Sequence, residues 1–269
     1  MRAYLTEAVD RLPFGGPAKA SRYATERYQG AVGRNWYTCD PTLQALIGGP
    51  VAQRAEETDR NPPRLERYDR WGHEIGRVVL PESFCTSQRE LIANGFERPE
   101  MREAARAVGA DVRLLAAAFS YMLDQAEIAM ACALGTGADM VERLVEEYAP
   151  AEVAALLRSL LPDGTLIGQT AQAFTERTGG SDLGAIETTA TPDGDAWRLN
   201  GLKWFVSNVN GVAFVVLAKP VGAEDATRGV APFLVLRRRR DGSPNGVIVR
   251  RLKDKLGTKG VPSGEVELV

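Results

Sequence analysis

Two short segments hold most of the residue chemistry in this chain: Phe174-Thr175-Glu176-Arg177-Thr178-Gly179-Gly180-Ser181-Asp182 and Asn200-Gly201-Leu202-Lys203-Trp204-Phe205-Val206-Ser207-Asn208. The first reads as a strand ending in a glycine-bearing loop, where exposed amides and Thr or Ser hydroxyls can approach an anionic or heteroaromatic ligand closely. The second places aromatic rings beside a hydroxyl on an adjacent strand, which suits a flat ring needing one face covered and one edge hydrogen-bonded. Each signal alone is weak, because Gly-Gly-Ser-Asp is more often just a turn and Trp204-Phe205 more often core packing. Arg237-Arg238-Arg239-Arg240 is the other conspicuous feature. Alternation along a strand splits four arginines between two faces, so the run reads first as a strand end entering a solvated turn, with a phosphate or nucleic-acid contact as the alternative.

These segments need elements to hold them. Residues 1–33 show little periodicity and read as an arm, and a helical stretch follows from Asp40 to Ala55. Asn61-Pro62-Pro63 forces an extended break, with a loop expected to about Pro81. The clearest helix runs from about Pro99 to Leu134, with Val108, Val112, Leu115, Phe119, Met122, Ala126 and Ala129 forming one apolar stripe. Shorter helices are expected from Asp139 to Tyr148 and after Pro150. Beyond Gly164 the apolar period changes from about 3.6 to 2, and β-branched and aromatic residues take over. Strand candidates are Ile186 to Thr191, Val212 to Ala218, Ala231 to Arg237, Gly246 to Val249 and the alternating residues 264–269. Asn200-Gly201 is expected to turn a two-residue hairpin. The reading is α+β: an arm (1–33), an α-helical bundle domain (34–164) and a small antiparallel β-barrel or sandwich domain (165–269).

Composition narrows the function classes. The formal net charge of −2 gives no sequence-wide case for nucleic acid. The cysteines, Cys39, Cys85 and Cys132, lack paired spacing, so neither a disulfide framework nor a metal site is expected. The single histidine, His73, lies in a turn-like stretch and reads as solvated, which removes chemistries needing imidazole pairs. No run of the roughly 18 or more apolar residues needed for a membrane span is present, and no signal peptide is evident, so a cytoplasmic location is expected.

Taken together and in order, the T-E-x-x-x-G-S-D loop at Thr175 to Asp182 and the N-G-x-K-x-(aromatic)-x-(Ser/Thr)-N strand at Asn200 to Asn208 resemble the paired flavin-binding signatures of acyl-CoA dehydrogenases. The similarity continues through Pro232-Phe233-Leu234-Val235, Arg251-Leu252-Lys253-Asp254-Lys255-Leu256-Gly257 and Ser263-Gly264-Glu265-Val266. Upstream, Asn61 to Asp69 with Gly72 resembles the AidB-like branch of that superfamily. The resemblance implies FAD as cofactor, with Gln172, Ala173, Phe174, Thr175 and Ser181 lining the flavin ring and its ribityl or phosphate side. It implies Phe205, Val206 and Ser207 flanking the ring from the next strand, with Phe205 over one face, the Ser207 hydroxyl addressing N5, and Trp204 on the strand's other side. Glu176 reads as a structural hydrogen-bond acceptor.

The implied reaction is α,β-dehydrogenation of an acyl-CoA or other acyl thioester. No catalytic residue is assigned, because the family's glutamate base belongs to a C-terminal helical domain that this chain is expected to lack. A homo-oligomer, or a hetero-oligomer with a chain supplying that domain, is expected. An AidB-like role on nucleic acid and a non-catalytic scaffolding subunit are the alternatives.

Overall fold

The computed structural model describes residues 46–93, 112–162, 164–224 and 226–269, with the single residues 103, 106, 107 and 109 between. The arm, Cys39 and the Val108 end of the long helix lie outside the described residues, as do most side chains of 112–122.

The described chain divides into two compact units, one of residues 46–61 and 82–131, the other of Pro62–Pro81 and Cys132–Val269. The change of period marks where most of the strands begin, but the two helices before it belong with the sheet.

In the first unit a π-helical turn, Ile47–Val51, runs into α1 (Ala52–Arg60), and α2 (Glu82–Ala93) packs against it. Val51, Phe84 and Leu91 are buried, and the buried hydroxyls of Thr58 and Ser83 satisfy each other at 2.7 Å. Helix α3 (Val112–Gly135) is broken at Glu127, where φ −155° and ψ 82° leave the helical region. The Glu127 carboxylate accepts from the Ala129 amide at 3.0 Å, the role of a cap at the start of a new helix. The unbroken helix expected from periodicity is thus two helices end to end.

In the second unit, residues 64–79 form a hairpin, β1 (Arg64–Tyr68) with β2 (Glu74–Val79), where a loop was expected. Its turn is built by Asp69, which accepts from the Trp71 and His73 amides, and by Gly72 at φ +88°. His73 lies exposed at that turn, 3.0 Å from the Asp69 carboxylate.

Helices α4 (Ala138–Tyr148) and α5 (Ala151–Leu160) precede a seven-stranded sheet made of β3 (Thr170–Ala173), β4 (Thr189–Asp193), β5 (Ala196–Ser207), β6 (Ala213–Pro220), β7 (Ala231–Leu236), β8 (Val247–Leu252) and β9 (Ser263–Leu268). The sheet is mixed. Most pairs are antiparallel, but β3 and β4 both run parallel to β6. The hydrogen-bonded order ends at β7 and β8, so it describes an open sheet.

The packing of β6 explains why its sequence is apolar from Ala213 to Ala218. Ala213 and Val215 face α4 and α5 with Val141, Leu157 and Leu236, while Phe214 and Val216 enter a second core with Ala171, Val206, Val249 and Val266. Each large side chain so buried contributes about 1.5–3 kcal/mol.

The hairpin expected at Asn200-Gly201 is absent. Strand β5 runs straight through both residues, and the β4–β5 turn lies at Gly194, φ +65°, between the paired Asp193 and Ala196. Gly201 has a different reason to be glycine: a Cβ there would lie 2.8 Å from the Thr188 Cα.

Candidate functional site

Strands β3 and β4 occupy one slot, end to end, between β5 and β6. The chain leaves the slot after Thr175, whose carbonyl accepts from the Trp204 amide at 2.8 Å. It returns at Thr188, whose carbonyl accepts from the Lys219 amide at 2.8 Å. Residues 176–187 therefore loop out of a sheet that would otherwise be continuous, and the opening leaves backbone carbonyls without ladder partners.

Two charged side chains fill that opening. Lys203, fully buried, donates to the carbonyls of Phe174 (3.3 Å) and Leu217 (2.6 Å) and to Glu176 Oε1 (2.6 Å). Glu176 also accepts from the Thr188 hydroxyl (2.5 Å), the Thr188 amide (3.1 Å) and the Glu187 amide (2.6 Å). One carboxylate thus joins the exit of the loop to its return. Burial pushes the Glu176 carboxyl up, but the Lys203, Thr188 and Glu187 donors together hold it below the ordinary glutamate value of 4.5. The stability this pair contributes is accordingly complete above pH 4.5 and lost as pH falls toward the folded value. Urea midpoints measured across that range should fall with pH in the wild type and fall less in Glu176→Gln.

Within the loop, the Glu176 amide donates to the Gly179 carbonyl at 2.7 Å, and Asp182 caps the turn Leu183–Ala185 through the Gly184 amide at 3.0 Å. A Cβ on Gly184 would lie 3.0 Å from the Thr227 nitrogen, so the loop packs tightly on its neighbour. Thr178, Gly180 and Ser181, on the outer rim, make no hydrogen bond among the described residues, and Ser181 is exposed.

Beside the loop, Gln172 on β3 pairs in register with Ser207 on β5. Phe205, two residues before Ser207, leaves 44% of its surface exposed. Ala173 and Val206 are fully buried in the inner core. The Phe174 side chain packs with the cluster under α4 and α5, and Thr175 is half-buried.

Trp204 does not take the far side from Phe205. Lys253 Nζ lies 3.3 Å from the Trp204 ring centroid and 5.6 Å from that of Phe205, so both rings meet one ammonium. The cause is a register shift between Lys203 and Val206 against β9, which breaks the strict alternation of faces. Arg177 and Arg251 also approach Trp204, at 5.0 and 5.6 Å, while Glu265 pairs with Arg251 and Lys253.

The arginine run divides. Arg237 is half-buried, donates to the Gly211 and Val209 carbonyls, and lies over Phe214; loss of solvent around it lowers its pKa to about 10, with the neighbouring Arg238 charge adding to the effect. Arg238 and Arg239 bond within their own turn, to the Gly242 carbonyl and Asn245. No four-arginine patch is presented.

Sequence reasoning quoted Lys203, Lys255, Ser263 and Glu265 within motifs but gave them no role. A lysine in an alternating strand reads as solvated unless the buried acceptors around it are known.

Profiles of known families match in two blocks. The AidB N-terminal domain covers residues 42–161 and the acyl-CoA dehydrogenase middle domain covers 171–269. The chain belongs to the acyl-CoA dehydrogenase superfamily. Among the relatives of this acyl-CoA dehydrogenase-like chain, AidB of Escherichia coli is 34% identical over 77% of the chain and 38% of the relative. A broad-specificity linear acyl-CoA dehydrogenase of Mycobacterium tuberculosis is 30% identical over 81% of the chain and 36% of the relative. In fold it is similar to a Caenorhabditis elegans protein solved in complex with C11-CoA, with TM-score 0.74 and 24% identity, over 93% of the chain and 44% of that protein. The acyl-CoA dehydrogenase-like chain thus spans between a third and a half of the length of these relatives. Among the described residues no helix is long and apolar enough to cross a membrane, and no cluster of His, Cys, Asp or Glu could hold a metal ion.

Proposed function

We propose that the sheet edge around loop 176–187 is an FAD site, and that the chain serves FAD-dependent α,β-dehydrogenation of an acyl thioester. The observation that carries this reading is the half-exposed Phe205 ring two residues from the Ser207 hydroxyl, next to Gln172 and beside the donor-bearing rim Thr178 to Ser181. An aromatic platform, a hydroxyl at its edge and unpartnered amides nearby match a flat heteroaromatic ring with an anionic tail. A Bacillus anthracis acyl-CoA dehydrogenase with the same fold was solved with FAD, at TM-score 0.57 and 19% identity, and the C. elegans protein was solved with an acyl-CoA.

FAD, when bound, supplies the hydride acceptor for the β-hydrogen of the thioester. Phe205 would cover one face of the ring and exclude water from it. Ser207 and Gln172 would fix its edge, and Phe174 and Thr175 would bound the slot, with Ala173 and Val206 buried behind it. Ser181 would hold the ribityl or phosphate end. The α-proton needs a carboxylate base, and each of the three buried carboxylates among the described residues is already engaged, Glu127 by the Ala129 amide at the break in α3. Glu176 is engaged by Lys203 and Thr188, and Glu265 by Arg251 and Lys253. The base would therefore come from other parts of the assembly, consistent with an oligomer or a partner chain.

Phe205→Ala should weaken FAD binding at least tenfold in a fluorescence titration without moving the urea midpoint, since an exposed ring adds little to folding. Unchanged affinity would remove Phe205 from the site. Anaerobic addition of an acyl-CoA to the FAD-loaded assembly that holds the base should bleach the flavin band, and persistence of the band would exclude the dehydrogenase reading.

A further inference from the structure

Ser207 is not an isolated hydroxyl. Its register partner across β5 and β9 is Ser263, and the two Oγ atoms are 3.1 Å apart. Ser263 is 2% exposed, and Lys255 Nζ donates to its Oγ at 2.9 Å and to the Val261 carbonyl at 2.8 Å. The proton inventory fixes a direction. An ammonium has three donors and no acceptor, so Ser263 Oγ must accept from Lys255. The Ser263 hydroxyl proton, made more acidic by that ammonium, is then best given to Ser207 Oγ, because hydrogen bonds in a chain polarise one another. With its lone pair so occupied, Ser207 has its own proton left to give away from the strand pair. The same series without the ammonium has no preferred direction, and Ser207 could equally spend its proton on Ser263.

We propose that Lys255 and Ser263 are positioning residues that commit the Ser207 hydroxyl to act as a donor toward an acceptor atom on the ring edge of the bound flavin. The proposal rests on the flavin reading given above and adds two residues that touch neither ring nor substrate.

The test compares FAD with 5-deaza-FAD, in which the N5 acceptor is replaced by a C–H group. The wild-type chain is expected to bind FAD about three- to tenfold more tightly than 5-deaza-FAD, the worth of one neutral hydrogen bond. In Ser207→Ala the ratio should fall to about one and in Lys255→Met it should fall part of the way, while Ser263→Thr, which keeps the hydroxyl, and Ser263→Ala, which removes the competing acceptor, should retain most of it. A ratio that disappears in Ser207→Ala yet is unchanged in Lys255→Met overturns the proposal and leaves the flavin reading standing. Equal weakening of both ligands by Lys255→Met with the ratio intact assigns Lys255 and Ser263 a purely structural role and also overturns it. A wild-type chain that binds neither ligand sinks the flavin reading itself.

Discussion

Glu176→Gln is expected to cost the β-rich unit about 3–5 kcal/mol, the loss typical when one member of a buried ion pair is neutralised and the other is left charged. Lys203 and Glu176 have side chains only 0% and 4% exposed, so solvent cannot rescue the orphaned ammonium. Two backbone carbonyls would still accept from Lys203, but neither carries a charge. The double variant Glu176→Gln, Lys203→Met should recover most of that loss, because it leaves no buried charge behind, and with the single Lys203→Met it completes the cycle that measures the coupling. Urea denaturation with unchanged slope is the measurement. A single variant within about 1 kcal/mol of wild type would place the pair in the class of solvated surface bridges, contrary to its burial. The local consequence is as informative as the global one. The carboxylate holds the amides of Glu187 and Thr188 at the return of the loop. Their exchange should accelerate more than that of β6 in any variant that still folds.

Gly201→Ala is expected to destabilise the same unit by about 2–3 kcal/mol, at the upper end of the range for forcing an atom into a close-packed site. The added carbon would lie 2.8 Å from both the Cα and Cβ of Thr188, where the chain comes back into the sheet. Relief requires moving backbone rather than rotating a side chain. Gly194→Ala provides the contrast, since a Cβ there meets nothing within 4 Å and only the positive φ of +65° opposes it. Its cost should be about 1–2 kcal/mol, the penalty of a left-handed conformation for an L-residue. Thermal or urea unfolding of the two variants side by side checks the order. A larger loss at Gly194 than at Gly201 would mean that turn geometry, and not the approach of Thr188, limits this sheet.

The contrast between those glycines shows where sequence patterns stop. Asn200-Gly201 has the composition of a hairpin turn, yet the turn is made by Gly194 and Asp195 while Gly201 accommodates a neighbouring strand. Local composition cannot tell these uses apart, because the second depends on Thr188 arriving from another part of the sheet. The β1–β2 hairpin was hidden for a related reason. Its strands are short, rich in arginine and glutamate, and nowhere fully buried, so no apolar alternation marks them.

By contrast, the central strand β6 and the terminal strand β9 were plain, since both faces of β6 are buried and β9 alternates. The candidate site was legible as two segments, and the structure sets Gln172 against Ser207 with Phe205 beside them. Its support was not legible. Lys203, Lys255 and Ser263 act through partners 8 to 56 residues away in sequence, and the shift that brings Trp204 and Phe205 to one ammonium arises from register against β9.

The central claim is that the loop 176–187 and the Phe205–Ser207 strand end form a flavin site. Amide hydrogen exchange of the chain with and without FAD tests it most directly. FAD is expected to slow exchange at Thr178 to Ser181 and in the segment Gln172 to Thr175, while the β1–β2 hairpin keeps its rate. FAD binding that protects a different region, or saturating FAD that protects none of these amides, would contradict it.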